Sequence, residues 1–341
     1  MRDPDQPPTV SMPTGRTLPA AAPPDELVDR CRVGQPRPEL ALRVLVDWWL
    51  ERGDPAGEAV LAALEAVDLA FVGLERALCA NDVLGMVEHD VLVFRVEPFA
   101  RAIGATDRAV DTELVLLPPD ARPVVARLGA LDEAASPVDF ALGRSARRAF
   151  ERAPRRVEIA PFLIARTALS QRVYDALAGE HARYKFPGPL RPVENASADE
   201  LEAFLARFAL RLPTESEWEL AARGGTTTAY CYGSRIDRAR ANYNGHDDYG
   251  SLGGSLARER TTDVALLPAN AYGLFGVHGN VAEWCRDDDA SSRFARASRG
   301  GSWSAPAVDC RSSSRMPLSP EVRRFNLGGR AARSLSRASS A

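Results

Sequence analysis

The chain has 341 residues, 45% of them hydrophobic, and a net charge of −3, which fits about two domains of a soluble globular protein with ample length for a buried core. That charge offers no global reason to expect a nucleic-acid partner, and no apolar run approaches the roughly 18 residues of a membrane span. Five cysteines, Cys31, Cys79, Cys231, Cys285 and Cys310, are scattered without a CxxC pair, the usage of a reducing, cytoplasmic compartment rather than a disulfide scaffold.

Residues 1–24 are rich in proline and poor in large apolar groups, a composition that predicts a disordered arm. Residues 25–136 are expected to form a smaller, mainly helical region. Leu42, Leu45, Val46, Trp49 and Leu50 recur at helical spacing before Gly53, Asp54 and Pro55 break the run, and Val60, Leu61, Leu64, Val67 and Phe71 suggest a second helix with one apolar face. Trp48 and Trp49 are read as core rather than as a ligand platform. The runs VLVFRV (91–96) and ELVLLPP (113–119) look like strands. Residues 81–136 carry no recognisable function.

Strand spacing returns at Val157 with Ile159 and at Phe162 with Ile164, on either side of Pro161. Ser170 is a plausible N-cap, and Ser197 with Glu200 and Thr214 with Glu217 have capping-box spacing. Further on, Gly279 and Asn280 supply a tight turn. Trp218, Trp284 and Trp303 are large enough to anchor a core poor in regular structure, and Arg223, Arg299 and Arg330 are suited to backbone carbonyls that irregular loops leave unpaired. From Ala290 onward ten arginines face only Asp309 and Glu321. Arginine supplies every positive side chain but Lys185 throughout the chain, so this local excess reads first as general usage and second as a docking surface for an acidic partner.

Three motifs occur in order: LPTESEWELAARGG, then ANYNG with NAYGLFGVHGNVAEW, then RGGSW with CRSSSR and NLGGR. On these residues the stretch 137–334 resembles the sulfatase-modifying-factor, or formylglycine-generating-enzyme, family. The resemblance implies an α+β fold with an elaborated C-type-lectin-like domain at 137–334, followed by a short disordered tail at 335–341. A shorter stretch, LRVLVDWWLERGDPAGEAVLAAL, is similar to a repeat-companion motif found at the front of some bacterial multidomain proteins, and names no chemistry.

Catalytic members of the family hold Cu(I) between two cysteines five residues apart, a soft ion on paired thiolates. Laid on that pattern, the second cysteine is Cys310 and the first is Ala305. Cys310 is therefore a vestige of the catalytic pair, copper is disfavoured, and no resident cofactor is expected. The family's calcium ligands imply Asn244, Asn280 and Glu283, although Gly276 and Ala265 stand where further oxygen ligands belong. Four histidines, His89, His181, His246 and His278, lack metal spacing. His278 is read as hydrogen-bonded scaffold. Gly329 stands where the family has an aromatic, which predicts altered local packing or a surface pocket.

The leading expectation is a non-catalytic recognition or adaptor protein that binds a protein or peptide partner through the 231–262 loop and the 302–326 region, with contacts at Trp303, Arg311, Arg315, Arg323 and Arg324. The alternatives are a divergent formylglycine-generating oxidase acting on a substrate cysteine, and a sensor or regulatory subunit of a bacterial signalling or defence assembly. Membrane and nucleic-acid partners are not expected.

Overall fold

The computed structural model describes residues 25–35, 37–66, 68–106, 108–129, 153–179, 184–245, 257–286 and 295–335. The expected arm at 1–24, the first part of the family stretch to 152, His181, His246, the acidic run at 287–289 and the tail beyond 335 lie outside the described residues.

Helices α1 (Asp25–Arg30), α2 (Pro38–Leu50) and α3 (Pro55–Leu64) open the chain. Asp54 caps α3 by accepting from Ala56 N at 3.0 Å, and Pro55 occupies the first helical position, where its missing N–H costs nothing. The helical expectation holds over 25–64. It fails beyond, where strands β1 (Leu69–Asn81) and β2 (Gly85–Val96) form a long antiparallel hairpin, followed by α4 (Glu97–Ala102), β3 (Glu113–Leu117) and β4 (Val124–Leu128). Phe71 is on β1, not on the apolar face of α3. Its ring packs 5.4 Å from Phe94 across the hairpin, the cross-strand pairing that favours extended backbone over a continued helix.

The hairpin is not a separate domain. Strands β5 (Arg155–Ile159) and β6 (Phe162–Ala165) follow, and a five-stranded sheet runs β1-β2-β3-β6-β11, so the final strand β11 (Ala332–Ser334) lies in the sheet the N-terminal hairpin begins. Leu42, Leu45 and Val60 of the first helices share one core with Leu201, Leu205 and Trp284. Buried and half-buried ion pairs join the same parts: Arg166 holds Glu113 at 2.8 Å and Glu75 at 2.8 Å, and Arg333 holds Asp68 at 2.8 Å. At the hairpin tip, Asn81 Nδ2 donates to the Cys231 carbonyl at 3.0 Å and Asp82 Oδ1 accepts from Ser234 N at 2.9 Å. Residues near 81 thus brace the 231 loop.

Three short helices, Gln171–Ala178, Ala198–Ala206 and Glu215–Arg223, begin at the expected caps, with both capping boxes fully formed. Thr214 Oγ1 accepts from Glu217 N at 3.2 Å while Glu217 returns to Thr214 N at 2.8 Å. Thr214→Ala is expected to cost about 1 kcal/mol, read as a lower urea midpoint at unchanged slope. The second sheet, β10 (Leu327–Gly328), β7 (Ala282–Trp284), β8 (Arg296–Arg299) and β9 (Arg315–Leu318), carries the region of interest. Among the described residues no helix is long and apolar enough to cross a membrane.

Candidate functional site

Irregular loops leave carbonyls without partners, and three buried arginines collect them. Arg223 donates to the carbonyls of Thr228 and Gly129, Arg299 to those of Ser312, Ser313 and Ser314, and Arg330 to those of Ala165, Arg166 and Phe275. The motifs alone did not reveal the acids that neutralise them. Glu219 bridges Arg223 at 2.8 Å and Arg299 at 2.5 Å. Glu283 takes Arg330 in a two-pronged pair at 2.6 and 2.7 Å, and accepts the Trp218 indole N–H at 2.6 Å.

That last arrangement corrects the calcium expectation. Both oxygens of Glu283 are committed to a buried guanidinium, and the pair is effectively closed to solvent. Asn280 is committed as well. Its Oδ1 accepts from Thr262 N at 2.8 Å and Asn242 Nδ2 at 3.2 Å, and its Nδ2 donates to the Thr262 carbonyl at 3.2 Å. Asn244 lines a cavity with Trp303 and Ser304 that neither Asn280 nor Glu283 reaches. The three side chains do not fit a shared calcium ion, and among the described residues no group of three His, Cys, Asp or Glu is placed to hold a metal.

His278 is the scaffold its motif suggests. The Cys231 N–H points at Nε2 from 3.0 Å, so Nε2 must accept, and Nδ1 then carries the proton it donates to the Cys310 carbonyl at 2.7 Å. Burial pushes its pKa down to about 4, against the opposing pull of the Cys310 carbonyl. One neutral imidazole therefore stitches the 231 loop to the first residue of CRSSSR.

Over the second sheet lies a pocket of about 370 Å³, walled by Ser298, Ser302, Ser304, Ala305, Asp309 and Arg315, with Arg324, Asn326 and the apolar Met316 and Leu318 completing it. Ala305 faces this space. Cys310 does not line it: its thiol is fully buried behind Gly301, where a Cβ would meet Sγ at 2.5 Å. Burial pushes the Cys310 thiol well above its ordinary range, with Asp309 adding to the shift, so thiolate is disfavoured there. Cys285 and Cys231, the two thiols that could stand in for the missing partner, are themselves sealed in the core. Cys285 is fully buried beside Trp284, and Cys231 faces Cys79, whose Sγ lies 3.7 Å from the Cys231 carbonyl oxygen. A methyl group and a sealed thiol do not fit Cu(I), which needs paired thiolates.

The expected contact residues divide. Arg324 is exposed at the pocket wall, and Arg315 lines it while held by Glu215 through two bonds of 2.8 Å. Trp303 is half-buried, so it remains available. Arg311 is only 1% exposed and is interior, a correction that follows from its place after the short helical turn Ala307–Cys310. Arg323 is exposed but is paired with Glu200 at 2.8 Å and does not line the pocket. Gly329 opens no cavity either, because Leu201 and Leu212 approach to 3.0 and 3.1 Å of where its Cβ would be. Leucine packing has taken the space of the aromatic.

Fold and pocket together define a C-type-lectin-like domain of the formylglycine-generating type. The family described as "Sulfatase-modifying factor enzyme 1-like domain" matches residues 136–335, and the chain belongs to it. It is 34% identical over 149 residues to the "Inactive C-alpha-formylglycine-generating enzyme 2" of Bos taurus, covering 41% of this chain and 50% of that one. It is 33% identical over 141 residues to the "Serine/threonine-protein kinase pkn1" of Chlamydia caviae, covering 36% of this chain and 21% of the kinase. The match thus spans half or less of these relatives' own length. The solved structure of PvdO from Pseudomonas aeruginosa shares the fold, with a TM-score of 0.52 at 22% identity over 65% of this chain and 95% of that one.

Proposed function

We propose that this protein is a non-catalytic recognition module of its family, which seats a peptide segment of a protein partner in the pocket beside Ala305. One observation carries the reading: a lined pocket lies beside Ala305, while the position matching the first family cysteine is a methyl group and the second thiol is sealed behind Gly301. Serine hydroxyls, Asn326 and Arg324 offer hydrogen bonds around an apolar floor of Met316, Leu318 and Leu327, the mixed lining that suits a peptide. The five free, buried thiols support a reducing compartment such as the cytoplasm.

Copper titration tests it. The expected result is no stoichiometric Cu(I) binding and no oxygen consumption with a cysteine-containing peptide, in the native chain and in Cys310→Ala alike. Stoichiometric binding that Cys310→Ala removes, together with oxygen uptake, would establish the divergent oxidase instead. A regulatory subunit of a signalling assembly is a second reading, favoured by the similarity to a protein named as a serine/threonine kinase. It calls for affinity capture of a defined partner.

A further inference from the structure

Lys185 is the only lysine in a chain that otherwise takes its permanent positive charges from arginine, and it lies over three aromatic rings. Its Nζ is 5.4 Å from the centre of the Phe186 ring, 5.7 Å from that of Trp303 and 5.3 Å from that of Phe325. Three ring faces within about 6 Å of one ammonium form an aromatic cage, since each ring turns a negative quadrupole toward the charge.

The walls are built independently of their occupant. Phe186 and Trp303 meet edge to face at 5.3 Å and 87°. The Trp303 indole N–H donates to the Phe325 carbonyl at 3.3 Å, and the Trp303 N–H to the Asn280 carbonyl at 2.9 Å. Beneath the cage, the N–H groups of Lys185 and Phe186 both donate to Oε1 of the buried Glu194. Phe325 is 46% exposed, so the cage opens to solvent. It adjoins a cavity of about 360 Å³ that Lys185 and Trp303 share with Asn244, Ser304 and the carboxylate of Glu259.

An arginine would stack more firmly on these rings than a lysine, with its planar and weakly hydrated head. The chain uses arginine everywhere except here. A lysine supplies instead a compact charge on a flexible stem, an occupant that leaves readily.

We propose that Phe186, Trp303 and Phe325 form a binding site for an alkylated ammonium group, held closed by Lys185 in the free protein and opened when the ligand's cation displaces it. The ligand chemistry is a quaternary ammonium, from either a trimethylated lysine of a partner peptide or a free choline-like molecule. Ser304 belongs to both this cavity and the pocket beside Ala305, so a peptide could occupy both. The proposal rests on the recognition reading above and specifies its ligand.

Because Lys185 is the sole lysine, acetylation by an amine-reactive ester, followed by peptide mass spectrometry, reports directly on its Nζ. With a trimethyllysine peptide or choline at millimolar concentration, Lys185 acetylation is expected to rise at least threefold. Lys185→Ala is expected to bind the same probe at least tenfold more tightly, and Phe325→Ala, at an exposed position, to lose at least tenfold. Response to the peptide alone or to choline alone would support the cage and assign its source. No change in acetylation together with no binding to Lys185→Ala would overturn it, as would equal binding of an uncharged tert-butyl analogue. These outcomes do not involve Ala305, Cys310 or oxygen, so they are separable from failure of the recognition reading, which the copper titration reads.

Discussion

Replacing Arg330 with alanine is expected to cost about 3–5 kcal/mol, the usual penalty for breaking a buried ion pair from one side. Arg330 is 1% exposed, as is Glu283, and the loss would leave that carboxylate with only the Trp218 N–H while three carbonyls each lose a guanidinium donor, the Arg166 carbonyl keeping a second one from Phe275 N. A domain of this size is stable by about 5–15 kcal/mol, so a large share of the total goes with one side chain. Arg330→Lys should recover only part, because a point charge cannot face both carboxylate oxygens and three carbonyls at once. Arg323→Ala is the control. Its pair with Glu200 is exposed, with half of the Arg323 side chain open to water, so solvent screening leaves its loss with little effect on stability. Urea denaturation of the three variants checks this, and comparable losses for Arg330→Ala and Arg323→Ala would rule out the buried pair as an organiser of the fold.

The contrast between those two arginines also explains what could be read without coordinates. Capping boxes, strand spacing around Pro161 and the carbonyl-binding arginines are local, so Ser197, Thr214, Val157 and Arg299 announced themselves by type and spacing. Burial is not local. Arg311 and Arg323 look alike in sequence, and only the turn Ala307–Cys310 sends the first inward. The same holds for Glu283, whose motif fits a calcium ligand until Arg330 arrives from 47 positions later. Residues 81–136 named no function because β3 pairs with β6 and β4 with β5, both farther along the chain, and nothing in their own pattern names those partners. The cage escaped for a similar reason, since Lys185, Trp303 and Phe325 meet only through tertiary structure. Its one visible signal was the solitary lysine.

The neutral His278 ties acid stability to the same region. Its folded pKa is depressed from 6.5 to about 4 by burial, so between those values the unfolded chain binds a proton there that the native chain refuses. Stability then rises with pH across the window, is fully present above about 6.5 and is lost as pH falls toward about 4. The shift corresponds to about 3 kcal/mol, at roughly 1.4 kcal/mol per pH unit. Protonation would also place a donor opposite the Cys231 N–H, which now donates to Nε2 at 3.0 Å, so the 231 loop should loosen first. His278→Gln removes the titration while leaving a hydrogen-bonding side chain. Urea denaturation of both proteins at pH 7, 6, 5 and 4 is expected to show the native chain losing about 3 kcal/mol more than the variant over that interval. Other titrating groups, His89 among them, are common to both and cancel in the comparison. Parallel pH profiles would mean that His278 does not carry its neutral-state hydrogen bonds into the folded protein, and that the link between the 231 loop and Cys310 has another origin.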